Sequence, residues 1–296
     1  MEIQNYVIEG ARGKDFKIFI KSLLQLSCLD EKYIEKLVSP ENLKIYEKAF
    51  THESYSTDNY EFFELLGDST CNKIIVWYLK DRFPFLNRAE DVKVLSRLKI
   101  MLVSGKNFSK IAEKYKFDNH ISYDFETKIK QHKSVLEDCF EAFFGATEYI
   151  VNLTFDKLGY LVCFSIMKKM LDEIHISLRY VDLYDPITRL KETFDFYNST
   201  LNSGTCNYIW GQIKFESKKN LEDGFQYVKL VQKQSNREET LLTGHGVYLD
   251  EVKQNLCEKY LKFLQKKGFE KPISAYYIDI ERKYASFMPK KRDKLF

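Results

Sequence analysis

Acidic side chains stand inside an apolar run at residues 59–70, where the sequence reads NYEFFELLGDST. On a helix, Glu64 and Asp68 are four residues apart and share a face, and Glu61 lies one turn earlier on the same side. Like charges at this spacing are tolerated more easily when a cation lies between them, and close oxygen ligands suit Mg²⁺ or Mn²⁺. The run therefore predicts either half of a carboxylate metal site or a solvated acidic face.

A second segment, HKSVLEDCFEAFFGATEYI at 132–150, has the same character. Asp138 and Glu141 are three residues apart and would share a helical face. If the two helices pack together, four anions converge in a space of low dielectric and repel strongly without a metal. Gly67 and Gly145 each lie inside one of these helices, where glycine costs up to about 1 kcal/mol relative to alanine. A close neighbouring backbone would justify that cost.

The composition is that of a folded chain with room for two units. It has 296 residues, of which 44% are hydrophobic, and a net charge of only +3 that says little about partners. The sequence contains no apolar run of about 18 residues and no signal-peptide pattern, so we expect a soluble intracellular protein without membrane contact. The six scattered cysteines form no pair that predicts a zinc site or a disulfide framework.

Helical periodicity dominates the first part of the chain, from about residue 14 to 165, apart from an irregular polar stretch predicted at 118–130. Near residue 183 the helical spacing of apolar residues gives way to another pattern. Asp185 and Pro186 predict a helix start, and three alternating segments at 208–217, 225–234 and 237–246 predict strands. The sequence at 248–268 returns to helical spacing. The second unit is therefore predicted to have the order α-β-β-β-α.

Four collinear segments resemble the ribonuclease III family. YEFFELLGDS at 60–69 is similar to the family signature, and SVLEDCFEAFFGA at 134–146 is similar to its second acidic block. KAFTHESYS at 48–56 and LSRLKIMLVSGKNFSKIA at 95–112 resemble the segments just upstream and between the two blocks. The unit that begins DPITRLKE resembles the double-stranded-RNA-binding domain that commonly follows.

The resemblance implies an all-α ribonuclease III endonuclease domain at 1–180 and an α-β-β-β-α double-stranded-RNA-binding-like domain at 185–270. The lysines and arginines near the end of the chain indicate a basic C-terminal tail at 271–296, which either contacts phosphates or is a solvated end. The resemblance also implies that the chain is a hydrolase, an endoribonuclease that uses Mg²⁺ or Mn²⁺ to cut duplex RNA into 5′-phosphate and 3′-hydroxyl ends with short 3′ overhangs. The implied residues are four metal-binding and catalytic carboxylates and one accessory acid: Glu64, Asp68, Asp138 and Glu141, with Glu61 as the accessory acid.

A single nuclease domain per chain implies a homodimer, because two strands need two active sites. The FF and LL pairs around Glu64 are candidates for the dimer interface, and intramolecular core is the open alternative. His52, in the third segment, is expected to form hydrogen bonds within the fold.

The second unit departs from its family pattern at the start of its last helix. Leu249 and Asp250 occupy the positions where the family has a lysine pair that contacts phosphates. We therefore expect weakened duplex binding by this unit. Residues that remain as RNA-binding candidates are Lys253, Lys290, Lys291 and Arg292.

Two rival functions stay open at this point. One is a catalytically silent member of the family that serves as an RNA-binding or scaffold subunit. The other is a binder that sequesters duplex RNA. The presence of all four carboxylates favours the active nuclease.

Overall fold

A computed structural model of the chain describes residues 6–201, 210–221, 223–234 and 237–287. The chain divides between Ile176 and Ser177 into two units, each with its own internal contacts. None of the described helices is both long enough and apolar enough to cross a membrane.

The first unit is a helical assembly with one two-residue strand pair. Strand β1 (Val7–Ile8) pairs antiparallel with β2 (Tyr123–Asp124). The helices are α1 (Gly13–Leu24), α2 (Glu31–Leu37), α3 (Pro40–Ala49), α4 (Glu61–Arg82), α5 (Val92–Leu102), α6 (Gly105–Lys114), α7 (Phe125–Phe155) and α8 (Gly159–Asp172). Three short 3₁₀ helices connect them, at Gln25–Ser27, Ala89–Asp91 and Phe117–His120.

The long helix α7 is the centre of this unit. Its buried residues include Phe140, Phe143 and Phe144, and the Phe144 ring contacts the other two at centroid distances of 5.1 and 5.2 Å. The helix begins earlier than the sequence suggested, because Asp124 caps its N-terminus by accepting a hydrogen bond from the Thr127 amide at 2.6 Å. The prediction of irregular structure at 118–130 is therefore wrong from residue 125 onward.

Two glycines allow α4 and α7 to approach at backbone contact. A methyl group on Gly67 would lie 1.8 Å from the Glu141 carbonyl oxygen, and one on Gly145 would lie 2.0 Å from the Phe63 carbonyl oxygen. Both distances are far below van der Waals contact. The close neighbouring backbone that the interior glycines predicted is confirmed, and it brings the two acidic segments face to face.

The second unit contains α9 (Tyr180–Leu183), α10 (Pro186–Leu201), β3 (Gln212–Lys219), β4 (Gln226–Gln234), β5 (Arg237–Gly246), α11 (Leu249–Lys266) and α12 (Ala275–Phe287). The stretch from α10 to α11 has the order α-β-β-β-α that the sequence predicted, and α9 and α12 flank it. The strands form one antiparallel sheet in the order β3-β4-β5. Asp185 caps α10 as predicted, accepting a hydrogen bond from the Thr188 amide at 3.0 Å.

The core of the second unit lies between its sheet and its helices. Leu190 and Phe194 of α10 pack with Trp210, with Leu230 of β4, and with Leu256 of α11. The segment predicted as a basic tail contains α12, a helix in which Ile280 is buried.

Candidate active site

The four carboxylates predicted from the sequence line one open cleft in the first unit. Glu64 and Asp68 come from α4, whereas Asp138 and Glu141 come from α7. The cleft has a volume of about 700 Å³. Its lining consists of six acids and three apolar residues: Glu61, Glu64, Asp68, Glu137, Asp138, Glu141, Phe62, Leu65 and Val103.

The helical spacing places these acids on the facing sides of α4 and α7. Gly67 and Gly145 stand beside them, so the two backbones touch where the carboxylates project. Glu141 is only 7% exposed, although it carries a carboxylate, and Glu64 is half-buried. Acids are rarely buried to this extent without a partner, and the described lining of this cleft offers no cationic side chain.

Burial and mutual repulsion raise the pKa values of these acids. Desolvation, followed by the charge of Asp138, raises the pKa of Glu64 to about 7. Desolvation, followed by the charge of Asp68, raises the pKa of Glu141 to about 8. The pKa of Asp138 is also raised by desolvation, although a hydrogen bond from Tyr60 opposes the shift. The cleft therefore concentrates acidic groups, and its described lining supplies no counter-charge.

Three residues of the site were not predicted from the sequence. Glu137 lines the cleft as a sixth acid, and desolvation raises its pKa. The Tyr60 hydroxyl donates to Asp138 Oδ2 at 3.0 Å, and the Asn72 amide donates to Asp68 Oδ1 at 2.6 Å. The four-residue spacing of Asn72 from Asp68 was a usable signal. The contact between Tyr60 and Asp138 joins residues 78 positions apart, and no sequence signal pointed to it.

The apolar residues next to Glu64 divide between core and surface. Phe63 is buried, and its ring contacts that of Tyr149. Phe62 and Leu65 are 56% and 71% exposed at the rim of the cleft. The open alternative is thus answered in part, because Phe63 belongs to the core whereas Phe62 and Leu65 present an apolar surface.

His52 lies behind the cleft and forms hydrogen bonds within the fold, as expected. It is 7% exposed, and its Nδ1 accepts a hydrogen bond from the Ser54 amide at 2.9 Å. Its ring packs edge-on against the ring of Tyr60, with centroids 5.6 Å apart.

The donor set of the cleft suits a hard divalent cation. Six carboxylates supply only oxygen ligands, which is the preference of Mg²⁺ and Mn²⁺. As placed, the described residues include no three histidine, cysteine, aspartate or glutamate side chains gathered closely enough to hold a metal ion. A cation between these acids would offset their mutual repulsion. By donor chemistry, the residues fit a divalent metal.

Comparisons with known proteins cover the same segment. Residues 42–169, which include all four carboxylates, match the family model described as Ribonuclease-III-like. A protein named "putative ribonuclease 3" from Invertebrate iridescent virus 6 is 33% identical over 271 residues, which cover 86% of this chain and 89% of that protein. The chain belongs to the ribonuclease III family.

Two further relatives of this ribonuclease III chain cover less of it. A protein of the same name from Frog virus 3 is 38% identical over 187 residues, which cover 62% of this chain and 50% of that protein. The solved nuclease domain of ribonuclease III from Campylobacter jejuni is 26% identical to this chain, with a TM-score of 0.40. The match covers 53% of this chain and 99% of that domain.

The chain is a ribonuclease III-type endoribonuclease. In its second unit, Leu249 and Asp250 begin α11, at the positions where the resemblance implied a lysine pair. Lys253 lies one turn further on, 3.9 Å from Asp250 and 5.7 Å from the ring centre of Phe215, with its side chain 24% exposed. Its RNA contact stays a prediction. The other candidates, Lys290, Lys291 and Arg292, lie outside the described residues.

Proposed function

We propose that the chain hydrolyses double-stranded RNA in a reaction that depends on Mg²⁺ or Mn²⁺. The observation that carries this proposal is the convergence of Glu64, Asp68, Asp138 and Glu141 from two helices on one open cleft. A phosphodiester is an anion, and six acids would repel it. Cations held between the acids and the phosphate remove that repulsion, so the charge of the cleft itself supports metal dependence.

The four carboxylates of α4 and α7 would hold the metal, with Glu61 and Glu137 at the border of the same cleft. A bound divalent cation supplies charge neutralisation and makes water a better nucleophile at neutral pH. Water oxygen then forms a bond to phosphorus while the bond to the 3′ oxygen breaks. The phosphate stays on the 5′ side, so the products carry 5′-phosphate and 3′-hydroxyl ends, with short 3′ overhangs when both strands are cut.

The composition of the cleft argues against a side-chain general base of the usual kind. Its described lining contains no histidine, lysine, arginine or cysteine. Buried acids whose pKa values are raised by desolvation can accept or release protons near neutral pH. In this cleft the four carboxylates would hold the metal, and we assign them to metal binding.

A homodimer would supply the second active site for the second strand. Phe62 and Leu65 form an exposed apolar surface at the rim of the cleft, on the face of α4 that its own unit leaves uncovered. Apolar surface of this kind is typical of a protein–protein interface. We therefore propose that a second copy of the nuclease unit covers these two residues.

Cleavage of a long RNA duplex tests the proposal. The full chain is incubated with the duplex and Mg²⁺, and the products are sized and their ends determined. Glu141→Gln keeps the shape of the side chain and removes its charge. We expect the variant to lose at least roughly 100-fold in rate, since even outer-shell partners of a metal are worth 10- to 100-fold.

The matched control is Glu126→Gln, which changes an exposed acid that also lies on α7. Glu126 pairs with Lys130 and does not line the cleft. It should cleave at the wild-type rate. Duplex binding without cleavage by the wild type would favour the sequestering rival, and neither binding nor cleavage would favour the scaffold rival. Either result would overturn the proposal, as would equal rates for Glu141→Gln and wild type.

A further inference from the structure

The Tyr60 side chain reaches the cleft from behind Asp138. Tyr60 is the residue before α4, and only 1% of it is exposed. Its hydroxyl is directed at Asp138 Oδ2, to which it donates a hydrogen bond of 3.0 Å. A buried hydroxyl that lost this acceptor would be left without a hydrogen-bond partner, which is unfavourable. The hydrogen bond therefore satisfies the Tyr60 hydroxyl and stabilises the Asp138 carboxylate.

The phenol ring is held firmly from its other sides. The Tyr60 amide donates to the Thr51 carbonyl at 3.0 Å, which ties the start of α4 to the preceding loop. The His52 ring packs edge-on against the phenol, and the His52 amide is itself anchored to the Ser122 carbonyl at 2.9 Å. The hydroxyl thus has little freedom to move away from Asp138.

The four carboxylates are not equally supported. Asp68 receives its hydrogen bond from Asn72, and both side chains lie at the exposed side of the cleft. Within the described part of the chain, the side-chain carboxylates of Glu64 and Glu141 accept no hydrogen bond. Asp138 alone is held by a donor that is itself buried, and a hydrogen bond to a charged group is stronger where water is excluded.

We propose that Tyr60 is a positioning residue for cation binding: by holding Oδ2, it orients the Asp138 carboxylate and leaves Oδ1 available to a cation. This inference rests on the proposed function, because it assumes that Asp138 is a metal ligand. Residues that orient metal ligands through hydrogen bonds typically contribute roughly 10- to 100-fold to metal affinity. By the same reasoning Asn72, whose hydrogen bond to Asp68 is exposed to water, contributes less than Tyr60.

The chain offers a matched control in Tyr78. It lies within α4, is also 1% exposed, and donates its hydroxyl to Asp172 Oδ1 at 3.2 Å. Asp172 is at the end of α8 and does not line the acidic cleft. Tyr60→Phe and Tyr78→Phe therefore remove the same atom from the same kind of contact, and only the first removes it from the site.

The experiment measures the affinity of the metal-free, full-length protein for Mn²⁺ by electron paramagnetic resonance. We expect Tyr60→Phe to weaken Mn²⁺ binding by roughly 10- to 100-fold and Tyr78→Phe to leave it within about twofold of wild type. In cleavage assays, the Mg²⁺ concentration for half-maximal rate should rise for Tyr60→Phe, and the rate at saturating Mg²⁺ should approach that of wild type.

Equal Mn²⁺ affinity in Tyr60→Phe and wild type would overturn the inference and leave the proposed function intact. Equal weakening in both tyrosine variants would also overturn it, because a general loss of stability would then account for the effect. If Glu141→Gln and the wild type bind Mn²⁺ with the same affinity, the proposed function is overturned together with this inference.

Discussion

Glu64 and Glu141 are the residues in which the electrostatics of the site are most visible. Their pKa values in the folded chain, about 7 and about 8, lie above the ordinary value of 4.5, chiefly because of desolvation. Between the ordinary and the folded values, the folded chain binds more protons than the unfolded chain. The two groups therefore favour the folded state at low pH, and this contribution is lost as the pH rises towards 7 and 8.

A cation changes this balance at neutral pH. Positive charge between Glu64 and Glu141 favours their ionised forms and lowers their pKa values. Cation binding near pH 7 must then release protons from carboxyls that were partly protonated in the metal-free protein. Proton release is a property of a desolvated acidic site and distinguishes it from a solvated acidic face, where the carboxylates are already ionised.

At the scale of elements, the contact between α4 and α7 determines the geometry of the site. Gly67 meets the backbone of Glu141, and Gly145 meets the backbone of Phe63. Neither obstacle is a flexible side chain that could rotate away. The acids can share one cleft only because both helices have no side chain at the point of contact.

Substituting either glycine by alanine should destabilise the protein. At an unconstrained helix position this change stabilises by up to about 1 kcal/mol, so the sign of the effect is diagnostic. We expect Gly67→Ala and Gly145→Ala each to lower the free energy of unfolding in urea by about 1–3 kcal/mol, because the helices must separate. Ser69→Ala, at an exposed position of α4, is the control and should have little effect. An unchanged or increased stability of the glycine variants would contradict the close contact.

Much of this contact could be predicted from the sequence, and some of it could not. The spacing of Glu64 with Asp68, and of Asp138 with Glu141, depends only on helical geometry, and the interior glycines indicated a nearby backbone. The first turns of α7 were missed because residues 125–131 show little apolar periodicity and their helix depends on the cap by Asp124. Tyr60 and Glu137 were missed because their roles depend on which helix lies opposite, and a single sequence does not contain that information.

At the scale of the whole molecule, the chain joins a nuclease unit to a second unit in which no lysine pair stands at the start of α11. The α-β-β-β-α order is intact, but Leu249 and Asp250 begin α11. An acid in the first turn of a helix favours the helix and repels phosphate. The order of elements in this unit could be predicted from the sequence, whereas its RNA binding stays a prediction.

Restoring positive charge at the start of α11 should strengthen duplex binding. Asp250→Lys, alone and together with Leu249→Lys, is made in the Glu141→Gln background so that RNA is not cut. We expect tighter binding and a steeper dependence of affinity on salt, by about one unit in the log–log slope for each new phosphate contact. The single variant is informative by itself, because Leu249 packs against the core of the unit and its replacement risks destabilisation.

A charge-matched control places the same added charge elsewhere in the unit. Glu238→Lys with Thr243→Lys raises the net charge by three at exposed positions of β5. The double substitution on α11 raises the net charge by the same amount. If the control variant gains as much affinity and slope as the α11 variant, the gain is a general effect of charge. The unit would then not contact RNA at the start of α11.

The central claim is that carboxylates from α4 and α7 hold a divalent cation, and calorimetric titration of the metal-free protein with Mg²⁺ near pH 7 tests it most directly. Repeating the titration in buffers of different ionisation enthalpy measures the protons released. We predict saturable Mg²⁺ binding with proton release in the wild type, and loss of both in Glu141→Gln. Absence of saturable binding, or binding without proton release that Glu141→Gln leaves unchanged, would contradict the claim.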